Sequence, residues 1–299
     1  MKLLRIAVTS MLALGILASA QFAQASPAWN GRIAFERIEI ENAYTHGVYV
    51  MNSSGSRQTR LTDGEWPSWS PDGTQIAFST TRDGNSEIYV MNSDGTDPRR
   101  LTSNTAPDWD PAWSPDGTHI AFTSSRDTRP DGLPNGEIYV MNAGGSGQTN
   151  LSNDPGWDEM AAWSPDGSRI AFAGSGDIYV MNADGSGKTA LTSTPSLAEG
   201  AADWSPDGTQ IAFAGQRPPF FDLDVFVMDA DGSDERNITH NPATSDRFPS
   251  WSPDSREIVF SSFVGNDDST ENLFVIKLRN AKISQLTNAA VAWHPAVRP

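Results

Sequence analysis

Carboxylates and indoles recur together in this sequence, at "GEWPSW" (Gly64–Trp69), "DWDPAW" (Asp108–Trp113) and "GWDEMAAW" (Gly156–Trp163). Glu65, Trp66, Asp108, Trp109, Asp110, Trp157, Asp158 and Glu159, extended by Glu199 and by Asp246 with Arg247, set negative charge beside large aromatic faces. Three kinds of chemistry fit such a set. An indole offers contact area and a face for cations, so the group can receive a basic or polar segment of a partner. Clustered carboxylates can hold a bridging calcium ion. Paired carboxylates, with the Trp66, Trp109 and Trp157 rings as a sugar platform, can bind or cleave a glycan. A second acidic stretch, "MDADGSDE" from Met228, spaces Asp229, Asp231 and Asp234 as a calcium loop would, but it occupies the position of "MNADGSGK" elsewhere and reads as a turn.

Other catalytic groups are sparse. There is no cysteine, hence no thiol nucleophile, thiolate metal site or disulfide. No G-x-S-x-G elbow occurs. His46, His119, His240 and His294 are the only imidazoles, and no two have the spacing of metal ligands, so a histidine metal cluster is not expected. Arg82 in "TRDGN" and Arg126 in "SRDT" could grip a carboxylate ligand; pairing with a nearby loop aspartate is the expected role.

The elements that must position these residues come from a repeat. "WSPDGTQIAF" at Trp69–Phe78 returns letter for letter at Trp204–Phe213, and as close variants at Trp113, Trp163 and Trp251. Trp69, Trp113, Trp163, Trp204, Trp251 and Trp293 are separated by 44, 50, 41, 47 and 42 residues, a period suited to four short strands per unit. In "SPDG" the proline presets a type I turn, and the Gly-bearing "NSDG", "NADG" and "DADG" close a second hairpin. The third strand of each unit ("IYVM", "VFVM", "LFVI") is apolar on both faces, as a strand covered on both sides must be. The motif tryptophans are read as packing residues.

Four-stranded sheets that need cover on both faces stack around an axis, so the fold expected is all-β, a six-bladed β-propeller of four-stranded antiparallel blades. The first unit, from Arg32, lacks a full leading strand, while "AVAWHP" at Ala290–Pro295 has nothing after it. Pairing the two closes the ring; "PAWNGRIAF" from Pro27 is the competitor for the same inner position. The two hairpin turns then share one face. The remaining loops, which diverge between copies, share the other, and that rim is the expected interaction surface.

Residues 1–25 have a basic start (Lys2, Arg5), an apolar run from Ile6 to Ala20 and "AQA" before Ser26, the layout of a secretory signal peptide, with residues 26–299 forming the propeller. The formal charge of −16 becomes −18 without that leader, which repels nucleic acid and anionic lipid and favours cations, basic protein faces or simple solubility. A periplasmic or secreted monomer with no membrane span after cleavage is expected.

The pattern "WSPDG…IAF", "EIYVMN.DG" and "LT" resembles the WD40-like (PD40) repeat of the TolB family over nearly all of Trp29–Pro299. That resemblance implies a periplasmic propeller of the Tol-Pal type, in a form without the α/β domain that precedes the propeller in TolB. Similar repeats form the propellers of prolyl-oligopeptidase-type enzymes and of lyases that use clustered histidines with a divalent metal. The function expected is a noncatalytic, protein-binding scaffold of the cell envelope that receives a partner segment at the acidic channel mouth through the eleven residues named first. It has no required cofactor, and calcium is the one ion that would fit the mouth. The alternative is a glycan-binding or glycan-cleaving propeller.

Overall fold

The computed structural model describes residues 31–39, 45–194, 198–217, 220–241, 244–264, 271–288 and 291–299. The leader expected at residues 1–25 and the competing strand from Pro27 lie outside them. Every regular element among the described residues is a β-strand, and the strands form six four-stranded sheets. Blade 1 holds β1 (Arg32–Glu39), β2 (Thr45–Asn52) and β3 (Thr59–Asp63). Blade 2 holds β4 (Glu65–Trp69), β5 (Gln75–Thr80), β6 (Glu87–Asn92) and β7 (Arg99–Arg100). Blade 3 runs through β8 (Asp108–Trp113), β9 (His119–Thr128), β10 (Pro134–Asn142) and β11 (Thr149–Asn150). Blade 4 comprises β12 (Asp158–Trp163), β13 (Arg169–Gly174), β14 (Asp177–Asn182) and β15 (Thr189–Ala190). In blade 5 are β16 (Glu199–Trp204), β17 (Gln210–Arg217), β18 (Phe220–Asp229) and β19 (Arg236–Asn237). Blade 6 has β20 (Thr244–Trp251), β21 (Glu257–Val264), β22 (Asn272–Lys277) and β23 (Lys282–Gln285).

The last strand, β24 (Val291–Val297), is the inner strand of blade 1: it pairs antiparallel with β1, Ile33 opposite Val297 and Ile38 opposite Val291. The expected closure of the ring by the chain's own tail is therefore the arrangement found. It removes the exposed edge of β1 and leaves no open sheet at the seam.

Each repeated letter has a structural duty. The serine of "SPDG" donates to the aspartate two residues on (Ser70 to Asp72, Ser114 to Asp116, Ser164 to Asp166, each 2.6 Å), and that aspartate accepts a backbone N–H at 3.0 Å from Thr74, Thr118 or Ser168. The two hairpin turns share a face, joined by backbone bonds such as Ala143 N to the Thr118 carbonyl. The "LT" hydroxyl caps the third strand, Thr102 Oγ1 and Thr192 Oγ1 each accepting from an isoleucine N–H at 2.9 Å. At the seam, Gly55 adopts φ +79°, and a Cβ there would lie 2.0 Å from the Leu286 carbonyl oxygen, so blade 1 closes onto blade 6 only because this turn carries glycine.

The core is correspondingly divided. Six buried clusters lie one between each pair of neighbouring blades, from Ala34, Val50, Phe78 and Met91 between blades 1 and 2 round to Phe35, Met51, Val259 and Val275 between blades 6 and 1. Five motif tryptophans are packing residues, four of them buried, and Trp69, Trp163 and Trp251 donate Nε1–H at 3.2 Å to the inner strand of the preceding blade; Trp293, counted as the sixth from its spacing, is not a motif tryptophan, because Val297 takes that register position in β24.

Candidate binding channel

The inner strands β4, β8, β12, β16, β20 and β24 surround a central channel with a cavity of about 450 Å³. Each of them slips register against its neighbour at one point, between Glu65 and Ser68, Trp109 and Ala112, Glu159 and Ala162, Gly200 and Asp203, Arg247 and Ser250, and opposite Ala34 and Glu36. At each slip one non-glycine residue takes a left-handed backbone: Trp66 (φ 54°), Asp110 (56°), Met160 (59°), Ala201 (53°), Phe248 (51°) and His294 (45°). Such conformations are uncommon and cost free energy, so six at one structural position are a designed bulge that turns that side chain into the channel. The residue that follows is proline in four blades (Pro67, Pro111, Pro249, Pro295), tolerated because the bulge frees it from the hydrogen-bond ladder.

The ring so formed is uniform in backbone and uneven in chemistry. Trp66, Phe248 and His294, from blades 2, 6 and 1, pack together: Trp66 stacks on His294 with centroids 3.5 Å apart, and Phe248 meets His294 edge-on at 4.0 Å. The other arc holds Asp110, Met160 and Ala201. Burial, reinforced by the neighbouring Glu159 and only partly opposed by the Met160 N–H, pushes the Asp110 carboxyl up to about 8, and its Oδ2 has no hydrogen-bond partner. One level away in the same channel, burial pushes Asp203 up to about 7 although it accepts a 2.8 Å bond from the Trp251 N–H. The channel wall thus offers carboxyls that burial makes harder to ionise, across from an aromatic trio.

The eleven residues singled out from the sequence fall at three levels. Trp66 and Asp110 are on the channel ring. Asp108, Asp158, Glu199 and Asp246, at the starts of the inner strands, are buried. Asp108 pairs with Arg126 at 2.8 Å, Asp158 with Lys188 at 2.7 Å and Glu199 with Arg217 at 2.6 Å. Each of these cations also lies over an aromatic ring of its own blade, as Arg126 does 4.5 Å above Tyr139. Asp246 has hydroxyl neighbours instead, and burial pushes it up to about 6. Both Arg82 and Arg126 were expected to pair with a nearby aspartate; Arg126 does so, whereas Arg82 donates to Thr62 and to the Asp63 carbonyl, both at 2.8 Å.

Glu65, Trp109, Trp157, Glu159 and Arg247 form the third level, at the mouth. Trp157 is 40% exposed, lies 6.0 Å from Trp109 and donates to Glu159 at 2.8 Å; Gly136 beneath leaves room for its ring, which a Cβ would meet at 2.6 Å. Arg247 covers Phe263 at 4.7 Å. Met160, Ala201, Phe248 and His294 went unmarked in the sequence reading. The signal was present in blades 2 to 6, where the residue before the proline two positions ahead of the motif tryptophan, or before the corresponding alanine, faces the channel; His294 likewise precedes Pro295, but Val297 stands where the tryptophan would be.

The histidines are a correction. Spacing along the chain set them apart, yet ring closure brings His46 and His294 into the same blade on either side of the buried Glu36, whose Oε1 is 2.5 Å from His46 Nδ1 and whose Oε2 is 2.6 Å from His294 Nδ1. Although burial pushes Glu36 up, the imidazoles of His294 and His46 pull it down to about 2. His46 rises in turn through its bond to Glu36, and Glu65, 3.7 Å from His46, rises through burial and the charge of Glu36.

Comparison with known proteins agrees with this construction. The family model for the TolB beta propeller domain (PD40) matches residues 65–133, and that for the N-terminal region of dipeptidyl peptidase IV matches residues 135–205. No curated relative matches the chain. Among solved structures, TolB from Acinetobacter baumannii superposes with TM-score 0.75 at 23% identity, over 90% of this chain and 67% of that one. A putative TolB from Agrobacterium tumefaciens gives 0.67 at 22%, over 91% and 100%. An oligogalacturonate lyase from Vibrio parahaemolyticus gives 0.56 at 13%, over 86% and 79%. Fold and channel define a six-bladed propeller with a lined central cavity. Residues 65–133 carry repeats that the PD40 model matches, and the fold as a whole is similar to that of the TolB propellers.

Proposed function

We propose that this chain is a noncatalytic binding scaffold of the cell envelope, periplasmic or secreted, that seats a segment of a partner protein in the mouth and upper channel. The observation that carries this reading is the ring of six bulged positions. A scaffold repeated nearly letter for letter presents six different side chains there, one of them a buried carboxyl with an unpartnered oxygen. Backbone uniformity serves folding, whereas side-chain divergence at an inward-facing position serves recognition. The aromatic trio and the Trp109–Trp157 pair supply apolar anchors, and Asp110 and Glu159 supply the charge that selects a Lys, Arg or amino-terminal group. A calcium ion bridging to the partner would use the same oxygens.

Affinity capture from an envelope extract tests the reading, comparing the native chain with a variant carrying Asp110→Asn and Trp157→Ala. Loss of a specific protein partner is expected; undiminished capture of every partner would overturn it. A cationic ligand must displace the proton of Asp110, so its affinity should rise with pH up to about 8. A second reading rests on the 40% exposure of Trp157 beside Trp109: a platform for a sugar ring. A glycan panel separates the two, because carbohydrate bound by the native chain and lost in Trp157→Ala would favour the platform.

A further inference from the structure

At the edge of the mouth, one corner of blade 1 brings together Glu36, His46 and Glu65, of which only Glu65 belongs to the residues of the binding reading. Glu36 on β1 and His46 on β2 are diagonal neighbours on one face of the sheet, since His46 lies opposite Ile38. Glu65 opens the next blade, and its position is tied to theirs because the Gly64 N–H donates to the His46 carbonyl at 3.0 Å. The ligand-capable atoms of Glu36, His46 and Glu65 all lie within 4.8 Å of one another. We propose that these three residues bind one divalent first-row transition cation, with zinc as its probe.

The distances suit such an ion. With metal–ligand bonds of about 2.1 Å, atoms sharing a tetrahedral ion sit about 3.4 Å apart. The His46–Glu36 and His46–Glu65 separations of 2.5 and 3.7 Å bracket that value, so small side-chain rotations complete the set. The anchoring is of the kind metal sites use. Glu36 is buried, with 1% of its side chain exposed, and its second oxygen is held by His294 Nδ1, which fixes the carboxylate plane. Entry is open, because His46 and Glu65 are about one-third exposed, at 32% and 35%. Two carboxylates and one imidazole give a donor set that favours zinc or a neighbour in its row, while calcium asks for more oxygens and no imidazole. The site therefore differs in donors and in ion from a calcium bridge at the mouth, with which it shares Glu65.

Titration of the full chain with zinc at neutral pH, followed by calorimetry and by melting, tests the proposal. One equivalent is expected to bind and to raise the melting temperature, with calcium and magnesium unable to compete. Glu65→Gln, at a partly exposed position, should keep the metal-free melting temperature; it and His46→Gln, which also takes a partner from the buried Glu36, should each weaken zinc binding by about tenfold or more. Cobalt(II) substitution provides a second readout: visible absorption bands in the native chain that are absent in His46→Gln. No saturable binding at about 100 μM zinc, or affinity unchanged in the double variant, would overturn the site and leave the cluster as a hydrogen-bonded corner of the blade. Because partner capture is measured separately, failure here leaves the channel reading untouched.

Discussion

Asp108 and Asp110 stand on the same strand, one alternation of the sheet apart, and live in opposite surroundings. Asp108 is enclosed among partners: Arg126 and Asn104 hold one oxygen at 2.8 and 2.6 Å. Asp110 faces the channel with no cation beside it: burial raises both carboxyls and each keeps one oxygen without a partner, but only Asp108 is met by a cation, and Asp110 is pushed up to about 8. The first belongs to a circuit of cation, carboxylate and aromatic ring repeated in blades 3, 4 and 5; the second belongs to a ring in which no two blades agree. A carboxylate that a cation of its own blade has already neutralised contributes to the fold, and one that no cation meets is available to a ligand.

Substitutions can break that contrast. The largest effect should come from deleting residues 289–299, which removes β24, uncovers the edge of β1 and takes Ala292 and His294 out of buried positions; cooperative melting should be lost or fall by well over about 10 °C. Asp108→Ala comes next, because it strands a largely buried Arg126. A cost of about 3 kcal/mol, or roughly 6–12 °C in melting temperature, is expected with partner binding reduced only as far as folding is.

Asp110→Asn should act the other way. The native group holds its proton up to about pH 8 whereas the unfolded chain releases it near 3.8, so the native state binds more protons between those values and stability falls as pH rises through them. The variant should therefore melt like the native chain near pH 4 and a few degrees above it at pH 8, as differential scanning calorimetry would show. If Asp108→Ala and Asp110→Asn shift stability in the same direction at pH 8, the contrast between the two carboxylates fails. The smallest thermal effect belongs to Trp157→Ala: at 40% exposure it should change stability by less than about 1 kcal/mol, while abolishing whichever ligand uses the mouth.

Much of the scaffold was legible without coordinates, since turn chemistry and apolar strands are local properties that repeat. "SPDG" must turn, "IYVM" must be covered on both faces, and six such units with a spare strand at the tail can bury their faces only by closing. The site was legible in part. Trp66 and Asp110 were marked because their types stand out, but Ala201 and Met160 share their position and carry no chemical flag. That Asp108, Asp158 and Glu199 are occupied was not readable, because their cations arrive from other strands 18 to 30 residues along the chain.

The amino-acid order alone determined the blade, its count and its closure, since period-two alternation and turn residues act over a few neighbours. Tertiary structure decided which groups meet. Glu36 and His294 are 258 residues apart and touch only because the tail strand seals the first blade, and a bulge of one residue determines whether a carboxyl looks into the sheet or into the channel. Contact between side chains depends on distances set by the whole ring, and no short stretch of sequence carries that information.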